Sequence, residues 1–155
     1  MHEQRPPRFR RRIRLAPEAY RSGAAFLVTV CAVRGTAPFH DPHRANIVAR
    51  RLLAARNSRR GPVVAYCVMP DHVHIVLAGA PDVVQWVREF KAGTTAELRR
   101  EDPGARPWQR SFHDRCLPLH GESLDAAVTY VLENPVRAGL VARVADWPWA
   151  GHGLA

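Results

Sequence analysis

Two histidines separated by one residue, His72 and His74, stand in a run that is otherwise aliphatic, His72-Val73-His74-Ile75-Val76-Leu77. On an extended strand, side chains at i and i+2 share a face, so both imidazoles project together and could grip one metal ion. The spacing alone is equally compatible with chance in a chain of eight histidines. The run itself adds weight to the metal reading, because two imidazoles in an apolar strand carry a desolvation cost that a metal would offset.

The second pair is Tyr130 and Asn134. Four residues apart on a helix, they lie on the same side, about 40° apart around the axis. They sit at the margin of an apolar stripe formed by Leu124, Ala127, Val128 and Val131. A tyrosine at such a margin is more often a packing residue with a wet hydroxyl than a nucleophile, and this helix alone does not separate the two roles. The two pairs together say more. Two His nitrogens and one amide oxygen offer three ligands to a borderline-hard divalent cation, leaving positions for phosphate oxygens and water, with a phenol one helical turn away. That is an arrangement for covalent phosphodiester chemistry.

These residues need elements to hold them. Residues 25–33 read as a first strand, with Val28, Val30 and Ala32 on one face and Leu27, Thr29 and Cys31 on the other. Asp41-Pro42 reads as an N-cap with proline at the first helical position, opening a helix to about Arg56. Residues 62–69 and 72–79 read as two strands joined by Pro70-Asp71, a connection so short that the pair must be antiparallel. A second helix is expected from Asp82 to about Arg100, with Val83, Trp86, Val87, Phe90 and Leu98 inward and Arg88, Lys91 and Arg99 outward. Residues 105–120 carry no clear periodicity. A third helix is expected from about Ser123 to Asn134, because Pro135 removes a backbone donor and disfavours continuation. The order β-α-β-β-α-loop-α predicts an α+β fold, a single domain with one antiparallel sheet covered by helices.

With 155 residues the chain can bury one sizeable core and is short for two domains. We expect a basic arm over residues 1–24, the domain over 25–149 and a tail over 150–155. The net charge of +9, from 23 Lys+Arg against 14 Asp+Glu, points to a polyanionic partner such as nucleic acid or an acidic membrane surface. Residues 1–14 alone hold six arginines and one glutamate. Arg10, Arg11 and Arg12 in this arm, with Arg88, Lys91 and Arg99 on the second helix, are therefore candidates for tracking a DNA backbone, each with a solvated surface charge as its bland counterpart. Three widely spaced cysteines without a CxxC pair fit a reducing cytoplasm. No stretch approaches the ~18 apolar residues that would span a bilayer.

The segment Tyr66-Cys67-Val68-Met69-Pro70-Asp71-His72-Val73-His74-Ile75-Val76 resembles the signature of the single-tyrosine HUH transposases, in particular the REP-associated tyrosine transposases. Two later blocks resemble others of that family in order and separation: Trp108-Gln109-Arg110-Ser111-Phe112-His113-Asp114-Arg115, and Tyr130 through Val141 with its Asn134-Pro135-Val136-Arg137 core. Phe26-Leu27-Val28-Thr29-Val30 resembles the family's first strand, and Phe90-Lys91 a pair in its second helix. The resemblance implies a ferredoxin- or RRM-like HUH domain in which His72 and His74 are metal ligands, Asn134 the third and Tyr130 the nucleophile. It implies attack on single-stranded or hairpin DNA to give a 5′-phosphotyrosine and a free 3′-hydroxyl, with Mg²⁺ or Mn²⁺, by a monomer or homodimer. Cys116-Leu117-Pro118-Leu119-His120 departs from the more polar stretch of the family.

Two other readings stand beside this one. A histidine-triad-type nucleotide hydrolase also uses alternating histidines on a strand, but its third would fall at Val76. A domesticated relative would bind DNA hairpins without cutting, against which the retained Tyr130 argues. His113 and Asp114 could orient a ligand or form an exposed loop pair. Trp108, Trp147 and Trp149 could stack on bases or pack locally.

Overall fold

The computed structural model describes residues 25–58, 61–80, 82–117 and 122–152. Arg10, Arg11 and Arg12 lie outside the described residues. The elements are β1 (Ala25–Cys31), α1 (Pro42–Ala54), β2 (Val63–Val68), β3 (His72–Ala78), α2 (Val83–Leu98), β4 (His113–Leu117), α3 (Glu122–Arg137) and β5 (Ala150–His152). The expected cap of the first helix holds, and the second helix is capped in the same way. The Asp41 carboxylate accepts the His43 amide with Pro42 in the first turn, and the Asp82 carboxylate accepts the Gln85 amide.

The five strands form one antiparallel sheet in the order β4-β1-β3-β2-β5. In its first four positions this is the split βαβ arrangement of ferredoxin-like folds: α1 crosses from β1 to β2 with β3 between them, and α2 crosses from β3 to β4 with β1 between them. The two-residue periodicity of β1 decides which helices lie on which face. Phe26, Val28 and Val30, with Val73, Ile75 and Leu77 of β3, face α1 and α2 through Val48, Leu52, Val83, Val87 and Phe90. Each such fully buried side chain contributes roughly 1.5–3 kcal/mol. The opposite face carries Ala65, Cys67 and Val76 under Ala127, Val128 and Val131 of α3. One face therefore has two helices, the other one.

The tip of the β2–β3 hairpin is held from three directions. Met69 N–H donates to His72 C=O (2.8 Å), Ala32 N–H to Asp71 C=O (2.8 Å) and Phe39 N–H to Pro70 C=O (3.0 Å). At the other end of β3, Gly61 (φ 122°) leads into β2 so close to Ala80 that a Cβ would fall 2.8 Å from the Ala80 methyl.

Three expectations are corrected. Residues 113–117, read as part of an irregular stretch, form edge strand β4 on β1. Residues 150–152, assigned to a tail, form strand β5 on β2. The third helix does not stop at Asn134 but runs through Pro135 to Arg137. Its stop signal is Gly139 (φ 73°), where Leu140 N–H donates to Pro135 C=O (2.9 Å) and Gly139 N–H to Val136 C=O (3.0 Å), the paired bonds of a Schellman end. Pro135 costs one helical bond, and the buried ring and intact cap carry the helix past it.

Candidate active site

On β3 the two histidines face the side of the sheet that carries a single helix. Register fixes their neighbours: Cys31 lies opposite His72, and Thr29 opposite His74 on one side and opposite His113 of β4 on the other. The imidazoles meet at their Nε2 atoms, 3.1 Å apart. Each Nδ1 is engaged: His72 Nδ1–H donates to Asp71 Oδ1 at 2.6 Å, and His74 Nδ1 shares a hydrogen bond of 2.9 Å with the Thr29 hydroxyl. Asp71 fixes the His72 tautomer, leaving its Nε2 lone pair aimed at His74. His74 is only 7% exposed. Burial, then the neighbouring His72 and the positive Arg137, push its pKa down to about 3, so it is neutral at ordinary pH.

This donor pair fits a divalent cation. Metal–imidazole bonds of about 2.0–2.1 Å at a right angle place two nitrogens roughly 3 Å apart, which is the separation found. Among the described residues no group of three or more His, Cys, Asp or Glu side chains forms a metal cluster.

Tyr130 and Asn134 come from α3. Both line one cleft of about 690 Å³ with His72, His74, Thr29 and Cys31. The Tyr130 ring meets the His74 ring edge to face, with centroids 5.6 Å apart at 71°. It is 42% exposed, whereas Tyr66 is buried against Gly151. All four residues singled out as His72, His74, Asn134 and Tyr130 thus line the same cleft, 56 positions apart in sequence between His74 and Tyr130.

The cations on α2 are not brought to this cleft, because α2 packs on the other face of the sheet. The Lys91 ammonium donates to three carbonyls, those of Gln109 (2.7 Å), Arg110 (3.1 Å) and Ser111 (3.1 Å). Arg99 Nε donates to Ala105 C=O at 2.9 Å. Arg88 remains at the surface beside Gln85. The three tryptophans are committed locally, Trp108 to Thr94, Trp147 to Val68 C=O and Trp149 to Asn46.

Residues not selected from sequence complete the site. Thr29 and Asp71 orient the histidines. Arg115, opposite Leu27, joins His113 and Asp114 on the cleft wall. Arg137 lies with its Cζ 4.2 Å from the Tyr130 ring centroid. Strand pairing of β4 with β1 was the missing signal for Arg115, and the helix beyond Pro135 for Arg137.

Comparison with known proteins identifies the family and the fold. Residues 27–134, more than half of the chain, match the family described as "Transposase IS200 like". A Haemophilus influenzae protein described as a REP-associated tyrosine transposase is 26% identical over 100 residues, which are 56% of this chain and 56% of that protein. The match therefore spans little more than half of that relative's length. In fold, the chain superposes with a TM-score of 0.67 on the structure of a REP-associated tyrosine transposase bound to a REP hairpin, at 23% identity over 83% of this chain and 76% of that one. No helix among the described residues is long and apolar enough to cross a membrane. The paired imidazoles on the sheet, the tyrosine and asparagine on the helix above them, and the matched sequence together make this chain a member of the IS200-like transposase family.

Proposed function

We propose that the chain cleaves and rejoins single-stranded or hairpin DNA through Tyr130. The observation that carries this reading is the exposed Tyr130 phenol standing against His74 in a cleft that also holds His72 and Asn134. Tyr130 Oη attacks a phosphodiester. The Oη–P bond forms as Oη gives up its proton and the P–O3′ bond breaks, the 3′ oxygen takes up a proton in exchange, and the DNA is left as a 5′-phosphotyrosine and a free 3′-hydroxyl. One ester replaces another, so the step reverses on a different 3′ end without an external energy source. His72 Nε2, His74 Nε2 and the Asn134 amide oxygen would hold a Mg²⁺ or Mn²⁺ ion, whose charge when bound polarises a non-bridging phosphate oxygen. The imidazole pair favours Mn²⁺ of the two. Asp71 and Thr29 keep both rings turned toward the cleft, and Arg115 adds positive charge on the β4 wall.

The hairpin preference is taken from the relative whose structure contains a REP hairpin. The test is incubation with labelled single-stranded DNA from the flanks of the gene and Mn²⁺, resolved on a denaturing gel. A slow protein–DNA band is expected from the parent and absent from Tyr130→Phe. A folded parent that binds the DNA and never forms the band is a binding protein, and the catalytic reading then fails.

A further inference from the structure

Tyr130 projects from α3 into a half-open cleft with 42% of its surface exposed, and an exposed tyrosine exchanges rotamers freely unless something holds it. Two groups do. His74 meets one side of the ring, as described, and the Arg137 guanidinium lies over the ring with Cζ 4.2 Å from its centroid. The guanidinium is itself fixed: one Nη donates to the Tyr130 backbone carbonyl and the other to Glu133 Oε2 at 3.4 Å. A flat cation bonded to the residue's own backbone while covering its ring ties side chain to helix. Lysine could do this only in part, because its ammonium can lie over the ring but lacks the planar fork that bonds the carbonyl and Glu133 at the same time. The contact exists only because α3 continues through Pro135, which brings Arg137 back over Tyr130 two turns later.

We propose that Arg137 is a positioning residue that locks the Tyr130 ring in its attacking pose. This rests on Tyr130 being the nucleophile, and the test separates the two ideas by reading the ring itself as well as the reaction. The chain has three tyrosines, so the full-length protein with ¹³C-labelled tyrosine rings gives a small spectrum, assigned with Tyr66→Phe and Tyr130→Phe. In Arg137→Gln the Tyr130 ring becomes more mobile while the Tyr66 ring is unchanged, and Arg137→Lys recovers part of the order.

In the reaction, single-turnover adduct formation at saturating DNA with Mn²⁺ slows roughly 10–100-fold in Arg137→Gln and less in Arg137→Lys, while Kd changes by less than about 3-fold. A DNA carrying a bridging 3′ sulfur, a better leaving group, does not rescue Arg137→Gln, as it would if Arg137 acted on the leaving oxygen. Unchanged Tyr130 order overturns the proposal, as does a parental rate at saturation with a raised Kd, which would make Arg137 a phosphate contact. A parent that forms no adduct while its Tyr130 order still depends on Arg137 refutes the nucleophile and leaves the lock standing. If shifted Tyr66 signals show that Arg137→Gln is misfolded, Arg137→Lys carries both readouts and must show the intermediate loss.

Discussion

His74 ties the chemistry of the site to the stability of the fold. Its ring is buried on the sheet face against His72, Thr29 and Tyr130, and its pKa is held at about 3 against 6.5 for a free imidazole. Between those values the unfolded chain binds a proton that the folded chain refuses, so stability rises with pH across that window and is lost as pH falls from about 6.5. In chelator-treated protein the urea midpoint should therefore drop from pH 7.5 to pH 5, and His74→Gln, which has nothing to titrate, should flatten the drop. An equal drop in both proteins would mean that carboxylates elsewhere dominate. The pair should also act together toward metal: His72→Ala, His74→Ala should bind Mn²⁺ far more weakly than the parent while keeping DNA binding. At this scale the sequence was most informative. The alternation of β3 put both imidazoles on one face, and the four-residue spacing put Tyr130 and Asn134 on one side of α3. Thr29 and Asp71 were not legible as their partners, since one depends on the β1–β3 register and the other on a tight turn that brings its carboxylate within 2.6 Å of His72.

Elements explain where the sequence misled and where it did not. Strands β1, β2 and β3 are long aliphatic runs with a buried face, and their period announces them. Strand β4, His113-Asp114-Arg115-Cys116-Leu117, is a sheet edge that presents polar residues to a cleft, so it has no apolar alternation to read. Strand β5 has three residues, too few for any periodicity. The charges of α2 looked alike in sequence and differ in place. Lys91 spends its three donors on the carbonyls of residues 109–111, the segment that leads into β4 and so into the cleft wall. Charge-assisted bonds of this kind contribute about 1.5–3 kcal/mol when buried, and part exposure reduces that to roughly 1–2 kcal/mol. Lys91→Met should lower the melting temperature and slow adduct formation while leaving the salt dependence of DNA binding as it was. A smaller salt slope in Lys91→Met would instead return Lys91 to the phosphate contacts.

For the whole molecule, the uneven dressing of the sheet matters most. Helices α1 and α2 close one face, whereas α3 covers the β2–β3 half of the other and leaves the β1–β4 half as the floor of the cleft. A phosphodiester that reaches Tyr130 must lie along that open half, with Arg115 beside it on β4. Residues 1–14 carry six arginines, outside the described residues, and the α2 cations lie behind the sheet. Binding and cleavage should therefore separate on mutation. Single-stranded DNA releases about 0.7 counterion per phosphate neutralised, so replacing Arg10, Arg11 and Arg12 together with Gln should reduce the slope of log K against log salt by up to ~2. The rate of adduct formation at saturating DNA should stay near the parent's, as expected of side chains that act on binding alone. Arg115→Gln should do the reverse, changing the slope by less than ~1 while slowing the step at saturation. Salt titrations of both variants on one labelled strand, each followed by single-turnover cleavage, give the four numbers required. An arm variant with the parent's slope would show that the N-terminal arginines do not touch DNA, and the charge that draws the strand in would then have to be sought on the β4 side of the sheet.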